Sequence, residues 1–121
     1  MSRKRLHLGK RGEDIAAEYL LSKGFRLVER NYRQKSGEID IICKDDDTYV
    51  FVEVKTRQDR RFGHPTEAVT KRKQLQISRT ALIYLSINDL LDEPVRFDVI
   101  GVICDRPTPD IIHIVGAFEA P

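Results

Sequence analysis

The stretch that decides the fold is GEIDIICKDDDTYVFVEVKT, residues 37–56. Its second half, Tyr49 to Lys55, is rich in β-branched and aromatic residues and reads as a strand. Strand alternation places Val50, Val52 and Val54 on one face and Tyr49, Phe51, Glu53 and Lys55 on the other. A strand this apolar belongs in the middle of a sheet, so an acid and a base in its second half need a reason: burying unpaired charge is expensive. Glu38 to Cys43 reads as the preceding strand, interrupted in the same way by Asp40, with Glu38 and Ile42 on its face. The polar run Lys44 to Thr48 makes the turn between them, and folding there brings Asp40 and Glu53 opposite one another or nearly so.

Two facing carboxylates repel unless a cation lies between them. A hard divalent ion such as Mg²⁺, bound by oxygen, resolves the repulsion, and Mn²⁺ is a workable substitute. Lys55 projects to the same face, where its ammonium can orient or polarise an attacking water or stabilise charge on a phosphate. A metal acting as Lewis acid with a cationic group beside it is equipment for phosphodiester hydrolysis. The other reading of the same residues is a buried structural ion pair. Among the 19 Asp and Glu residues, Glu53 alone has a lysine two positions on.

Working outward, Gly12 to Lys23 reads as a helix, with Gly24 as its C′ stop. At about 100° per residue Glu13 lies within about 20° of Leu20, on the face that packs, while Glu18 faces solvent. Residues 1–10 read as a basic arm. Phe25 to Tyr32 is a first strand, and Gln34 to Gly37 a turn. After Thr56 comes a basic loop. A long helix then starts at Pro65 and runs to about Ser86, with Leu75, Ser78, Leu82 and Leu85 as its apolar stripe, supported by Ala68, Ala81 and Ile83. Val95 to Cys104 and Ile111 to Val115 are two further strands, separated by Pro107 and Pro109. The order α-β-β-β-α-β-β in 121 residues makes one α/β domain over residues 1–121: a three-layer sandwich with a mixed five-stranded central sheet flanked by two helices.

Composition narrows the function. No apolar run approaches the roughly 20 residues of a membrane-spanning helix, and no signal-like apolar segment follows the basic N-terminus. Cys43 and Cys104 lack zinc-site spacing and suit a reducing compartment, so the cytoplasm is the expected location. The net charge of +2 hides an alternation. Residues 1–35 carry ten Lys/Arg against four Asp/Glu, a local +6, and residues 53–79 carry eight against three, a local +5. Arg11, Arg33, Arg57, Arg60, Arg61, Lys71 and Lys73 come from these two segments and form a candidate phosphate-backbone grip, with solvated surface as the ordinary alternative. Nothing resembles a base-reading module. His64 is either a catalytic group or the cap of the following helix, and His113 alternates with isoleucines and is expected to face solvent. Asp98 on an apolar strand either pairs with an arginine or lies at the site's edge. Tyr32 and Phe62 either stack on bases or pack at the core's edge.

Asp40 and Glu53-Val54-Lys55 resemble the motif of the PD-(D/E)XK nuclease superfamily, whose core order is the same. Its naming proline is replaced here by Glu38-Ile39. KRGEDIAAEYLLSKGF, residues 10–25, resembles the superfamily's first helix, as in Holliday-junction resolvases, with Glu13 as the helix glutamate. GEDIAAEYL, GEIDIIC, VFVEVKTR, FGHPTEAV and RFDVIGV are similar to recurring segments of the YraN-like (UPF0102) family across nearly the whole chain. The resemblance implies a restriction-endonuclease-like fold and a Mg²⁺-dependent endonuclease hydrolysing DNA, with structured or branched DNA among its substrates. Catalysis would fall to Asp40, Glu53, Lys55 and Glu13, and metal binding to Asp40, Glu53 and Glu13. A non-catalytic nucleic-acid-binding module in a DNA-processing assembly is the alternative. A protein partner of that kind, and a homodimer making paired cuts, complete the expectations.

Overall fold

The computed structural model describes residues 3–59, 61 and 69–121. Two helices and five strands follow one another as α1 (Arg3–Ser22), β1 (Arg26–Gln34), β2 (Gly37–Asp45), β3 (Thr48–Arg57), α2 (Lys71–Ile87), β4 (Val95–Ile103) and β5 (Asp110–Phe118). The strands form one sheet in the order β1-β2-β3-β4-β5. β3 and β4 run parallel with α2 between them, and every other neighbouring pair is antiparallel. The expected element order and mixed sheet are therefore present.

The alternation of β3 explains the three layers. Val50, Val52 and Val54 pack with Ala16, Ala17 and Leu20 of α1 on one face. Phe51 packs with Ile77, Ala81, Tyr84 and Leu85 of α2 on the other. β2 and β3 are joined by a turn at Asp46 and Asp47, closed by the Asp45–Thr48 pair. α1 ends as expected at Gly24, where φ is +89°. The Gly24 N–H donates to Leu21 O (3.0 Å) and the Phe25 N–H to Leu20 O (3.0 Å), the paired bonds of a Schellman motif.

Several expectations need correction. The basic segment is not an arm, because α1 begins at Arg3 and runs through Gly9 and Gly12. α2 begins at Lys71, later than Pro65, because Thr70 is extended and caps it, accepting the Lys73 N–H at 3.2 Å. Pro65, Ala68 and the other residues between 62 and 68 lie outside the described set.

The buried stripe of α2 is Ile77, Thr80, Ala81, Tyr84 and Leu85. Leu75 and Leu82 are exposed instead, Leu82 by 59%. They line an open groove of about 800 Å³ with Val95, Phe97 and Phe118. β5 continues past Val115 through a register shift opposite Asp98, with Gly116 at φ +61°. Among the described residues no helix is long and apolar enough to cross a membrane.

Candidate active site

The β2–β3 ladder runs from Asp45–Thr48 to Ile41–Val52, and one further step puts Asp40 opposite Glu53. There the backbones stop pairing directly, and the Asp40 carboxylate instead accepts the Val54 N–H at 2.8 Å. The two carboxyls sit close enough to perturb each other. Burial, then the charge of Glu53, pushes Asp40 up to about 7; the Val54 hydrogen bond pulls the other way, and Glu13 and Glu38 add to the rise. Glu53 is also raised, chiefly by burial, against the opposing pull of Lys73 and Lys55.

Glu53 is only 6% exposed. Its Oε1 faces two ammonium groups, Lys55 Nζ at 3.6 Å and Lys73 Nζ at 3.9 Å. Its Oε2 is buried without a hydrogen-bond partner among the described residues. Orphaned buried polar atoms are costly and rare, and a carboxylate oxygen left bare beside a second carboxylate suits a hard cation. Mg²⁺ is commonly held by one or two carboxylates, its remaining positions filled by water or substrate phosphate, so Asp40 and Glu53 fit it. Among the described residues no group of three or more His, Cys, Asp or Glu side chains is placed to hold a metal ion together. Glu13, expected as a third ligand, therefore does not join Asp40 and Glu53 in one set; its Oε1 is held by Asn31 instead.

Glu13 reaches this centre from α1. A Cβ on Gly12 would overlap the Thr56 side chain, so α1 lies directly against β3 one residue before Glu13. Asn31 Nδ2 donates both to Glu13 Oε1 at 2.7 Å and to Glu38 Oε1 at 3.0 Å. Asn31 stands at φ +53°, a conformation that asparagine tolerates better than most residues. Glu38 is also in contact with Arg33, whose Nε lies 3.5 Å from its Oε1.

The profile of the uncharacterised protein family UPF0102 matches residues 12–102, a span containing Glu13, Asp40, Glu53, Lys55 and Lys73. The chain belongs to UPF0102. A UPF0102 protein of Geotalea uraniireducens is 50% identical over 113 residues, covering 93% of this chain and 89% of its own. One from Syntrophomonas wolfei is 43% identical over 111 residues, covering 92% of this chain and 96% of its own. A third, from Pelobacter propionicus, is 51% identical over 114 residues, with coverages of 92% and 81%.

Within this UPF0102 chain the cationic candidates separate. Lys73 joins the acidic centre, Lys71 stands exposed on the same helical turn, and Arg11 is exposed on α1 beside Gly12. Arg57 Nη1 donates to the Thr56 carbonyl at 3.2 Å. Arg61 is tied to Asp59 at 2.7 Å. Arg60, Phe62 and His64 lie outside the described residues. Tyr32 packs edge-on against Tyr84, their ring centroids 5.2 Å apart, as a core-edge residue.

His113 does not face solvent. Its Nε2 lies 2.8 Å from Asp98 Oδ2 and its Nδ1 3.1 Å from the Tyr19 hydroxyl, because α1 covers that face of β5. Asp98, fully buried, also accepts from Arg96 and the Gly116 N–H, so the arginine-pairing reading is the one observed. Sequence reasoning missed Asn31 as a bridge between Glu13 and Glu38. The available signal was an asparagine in a strand, where that residue is depleted.

Proposed function

We propose that this UPF0102 protein is a Mg²⁺-dependent endonuclease that hydrolyses phosphodiester bonds in DNA, structured or branched DNA included. The observation that carries the reading is the buried, unpartnered Glu53 Oε2 beside Asp40. Asp40 and Glu53 would hold the cation, and Glu13, tied to Glu38 through Asn31, adds negative charge behind it. When bound, the cation supplies Lewis-acid activation of the attacking water and of the phosphoryl oxygen. Lys55 stands beside Glu53 to orient that water or to stabilise charge developing on the phosphate. Lys71, Arg11 and Arg33 on the surrounding surface suit phosphate-backbone contact. The free cysteines suit a reducing cytoplasm: burial pushes the Cys43 thiol up to about 12, which leaves it unreactive.

One observation favours a second reading. Lys55 and Lys73 together can neutralise Glu53 without any metal, as in a nucleic-acid-binding module that no longer cleaves. Incubating duplex and four-way-junction DNA with the protein, in Mg²⁺, Mn²⁺ or EDTA, separates the two. Metal-dependent cleavage supports the nuclease, and salt-sensitive binding without cleavage supports the module.

A further inference from the structure

We infer that Lys73 is the resident counter-ion of Glu53, displaced when a divalent cation binds and thereby released to grip substrate phosphate; this rests on the nuclease reading of the site. Glu53 Oε1 is shared by two ammonium groups while Oε2 is bare. A cation on Oε2 would add a third positive centre to a carboxylate whose Oε1 already faces two ammonium groups, and the repulsion favours withdrawal of one of them. Lys55 is carried by the central strand β3, its side chain 21% exposed. Lys73 comes from another layer, on the first turn of α2, with its side chain 34% exposed. A long stem in that position lets the ammonium swing to solvent with little disturbance of the backbone.

The destination is also marked. Lys71, Arg72 and Lys73 crowd the first turn of α2, which holds no acid, against the positive end of the helix dipole. Three cations there raise the local potential, an arrangement that favours a polyanion and disfavours the protein alone. Glu53 balances part of that charge until a metal takes the place of Lys73 beside it. Cation and DNA binding are then reciprocally coupled through one side chain.

Calorimetric titration of the full chain with Mg²⁺ tests this, using wild type, Lys73→Met, Lys73→Arg, Lys71→Met and Asp40→Asn, each first shown by its melt to be folded. Lys73→Met removes the competing charge and is expected to bind Mg²⁺ about fivefold more tightly. Lys73→Arg and Lys71→Met are expected to match wild type. In a parallel duplex-binding assay, the gain in affinity that Ca²⁺ confers on wild type is expected to shrink in Lys73→Met and to persist in Lys71→Met. Unchanged or weaker Mg²⁺ binding in Lys73→Met, or an undiminished Ca²⁺ gain, overturns the inference and leaves the site reading standing. If wild type binds no Mg²⁺, or Asp40→Asn binds it equally well, the site reading fails and the inference falls with it.

Discussion

Gly12 of α1 lies so close to Thr56 of β3 that a single methyl group on it would overlap the threonine side chain. This approach sets α1 against the central strand one residue before Glu13 and three residues after Glu53. A glycine within a helix costs about 1 kcal/mol relative to alanine, so this one is retained against helix propensity in favour of packing. Gly12→Ala is therefore expected to destabilise the protein by about 1–3 kcal/mol instead of stabilising the helix. Thr56→Ala in the same chain should recover part of that loss, and a double-mutant cycle in urea reads the coupling. Additive effects would show that the two residues do not meet.

Asp40 ties stability to pH in an unusual direction. Its pKa rises from an unfolded value near 3.8 to about 7 in the fold, so the folded state holds a proton that the unfolded chain gives up. Its contribution is complete below the unfolded pKa and is lost as pH rises through about 7. Asp40→Asn keeps an oxygen that can accept the Val54 N–H and removes the charge. At pH 8 without metal it should be more stable than wild type by on the order of 2 kcal/mol, with the gap closing near pH 4. Melting curves across that range give the answer. Mg²⁺ should raise the wild-type midpoint at pH 8 and leave the variant's unchanged.

Asp98 titrates in the opposite sense. Burial pushes its pKa up, but hydrogen bonds from His113, Arg96 and the Gly116 N–H more than compensate and hold it below the usual carboxylate range. Its contribution is present above the unfolded pKa and is lost as pH falls through the folded one. Asp98→Ala leaves Arg96 with Asp45 and His113 with Tyr19 as their remaining partners, and should cost about 3 kcal/mol by urea denaturation. Asp98 contacts the α1 side of the sheet, whereas Glu53 faces α2, so the folded fraction should bind Mg²⁺ as wild type does. Loss of binding in proportion to folded protein would link the two networks.

The packing of α2 gives a direct mutational contrast. Ile77 is buried against the sheet, while Leu82 is largely exposed in the groove. Ile77→Ala should cost about 2–4 kcal/mol and Leu82→Ala less than about 1 kcal/mol. Equal costs would contradict the observed face.

That contrast also shows where sequence reading reaches its limit. Counting leucines placed Leu85 and Ala81 correctly but rotated the stripe of α2 toward Leu75 and Leu82, because the buried face also includes Thr80 and Tyr84, residues whose polar tips disguise them. Thr80 is buried with its hydroxyl 2.7 Å from Ser36 on the β1–β2 turn, a partner that no local pattern reveals. The charges in β2 and β3 were legible for the opposite reason. Period-two alternation exposes an acid in an apolar strand, and the short acidic turn nearly fixes which residues meet across it. The Asp40–Glu53 pairing needs only that register. Asn31, His113 and the reach of Lys73 to Glu53 depend on how separate layers dock, and α1 begins at Arg3, well before Gly12 where the pattern starts the helix. Tertiary contacts of this kind leave little trace in a single chain.

The measurement that bears most directly on the proposed centre is nicking of supercoiled plasmid in Mg²⁺ by wild type, Asp40→Ala and Glu53→Ala at matched folded concentration. The account expects nicking by wild type that EDTA abolishes and that both variants lose by at least about a hundredfold, while their DNA binding in EDTA stays within reach of wild type. Nicking that survives in either variant, or wild type that binds DNA and never cuts it under any divalent cation, would contradict it.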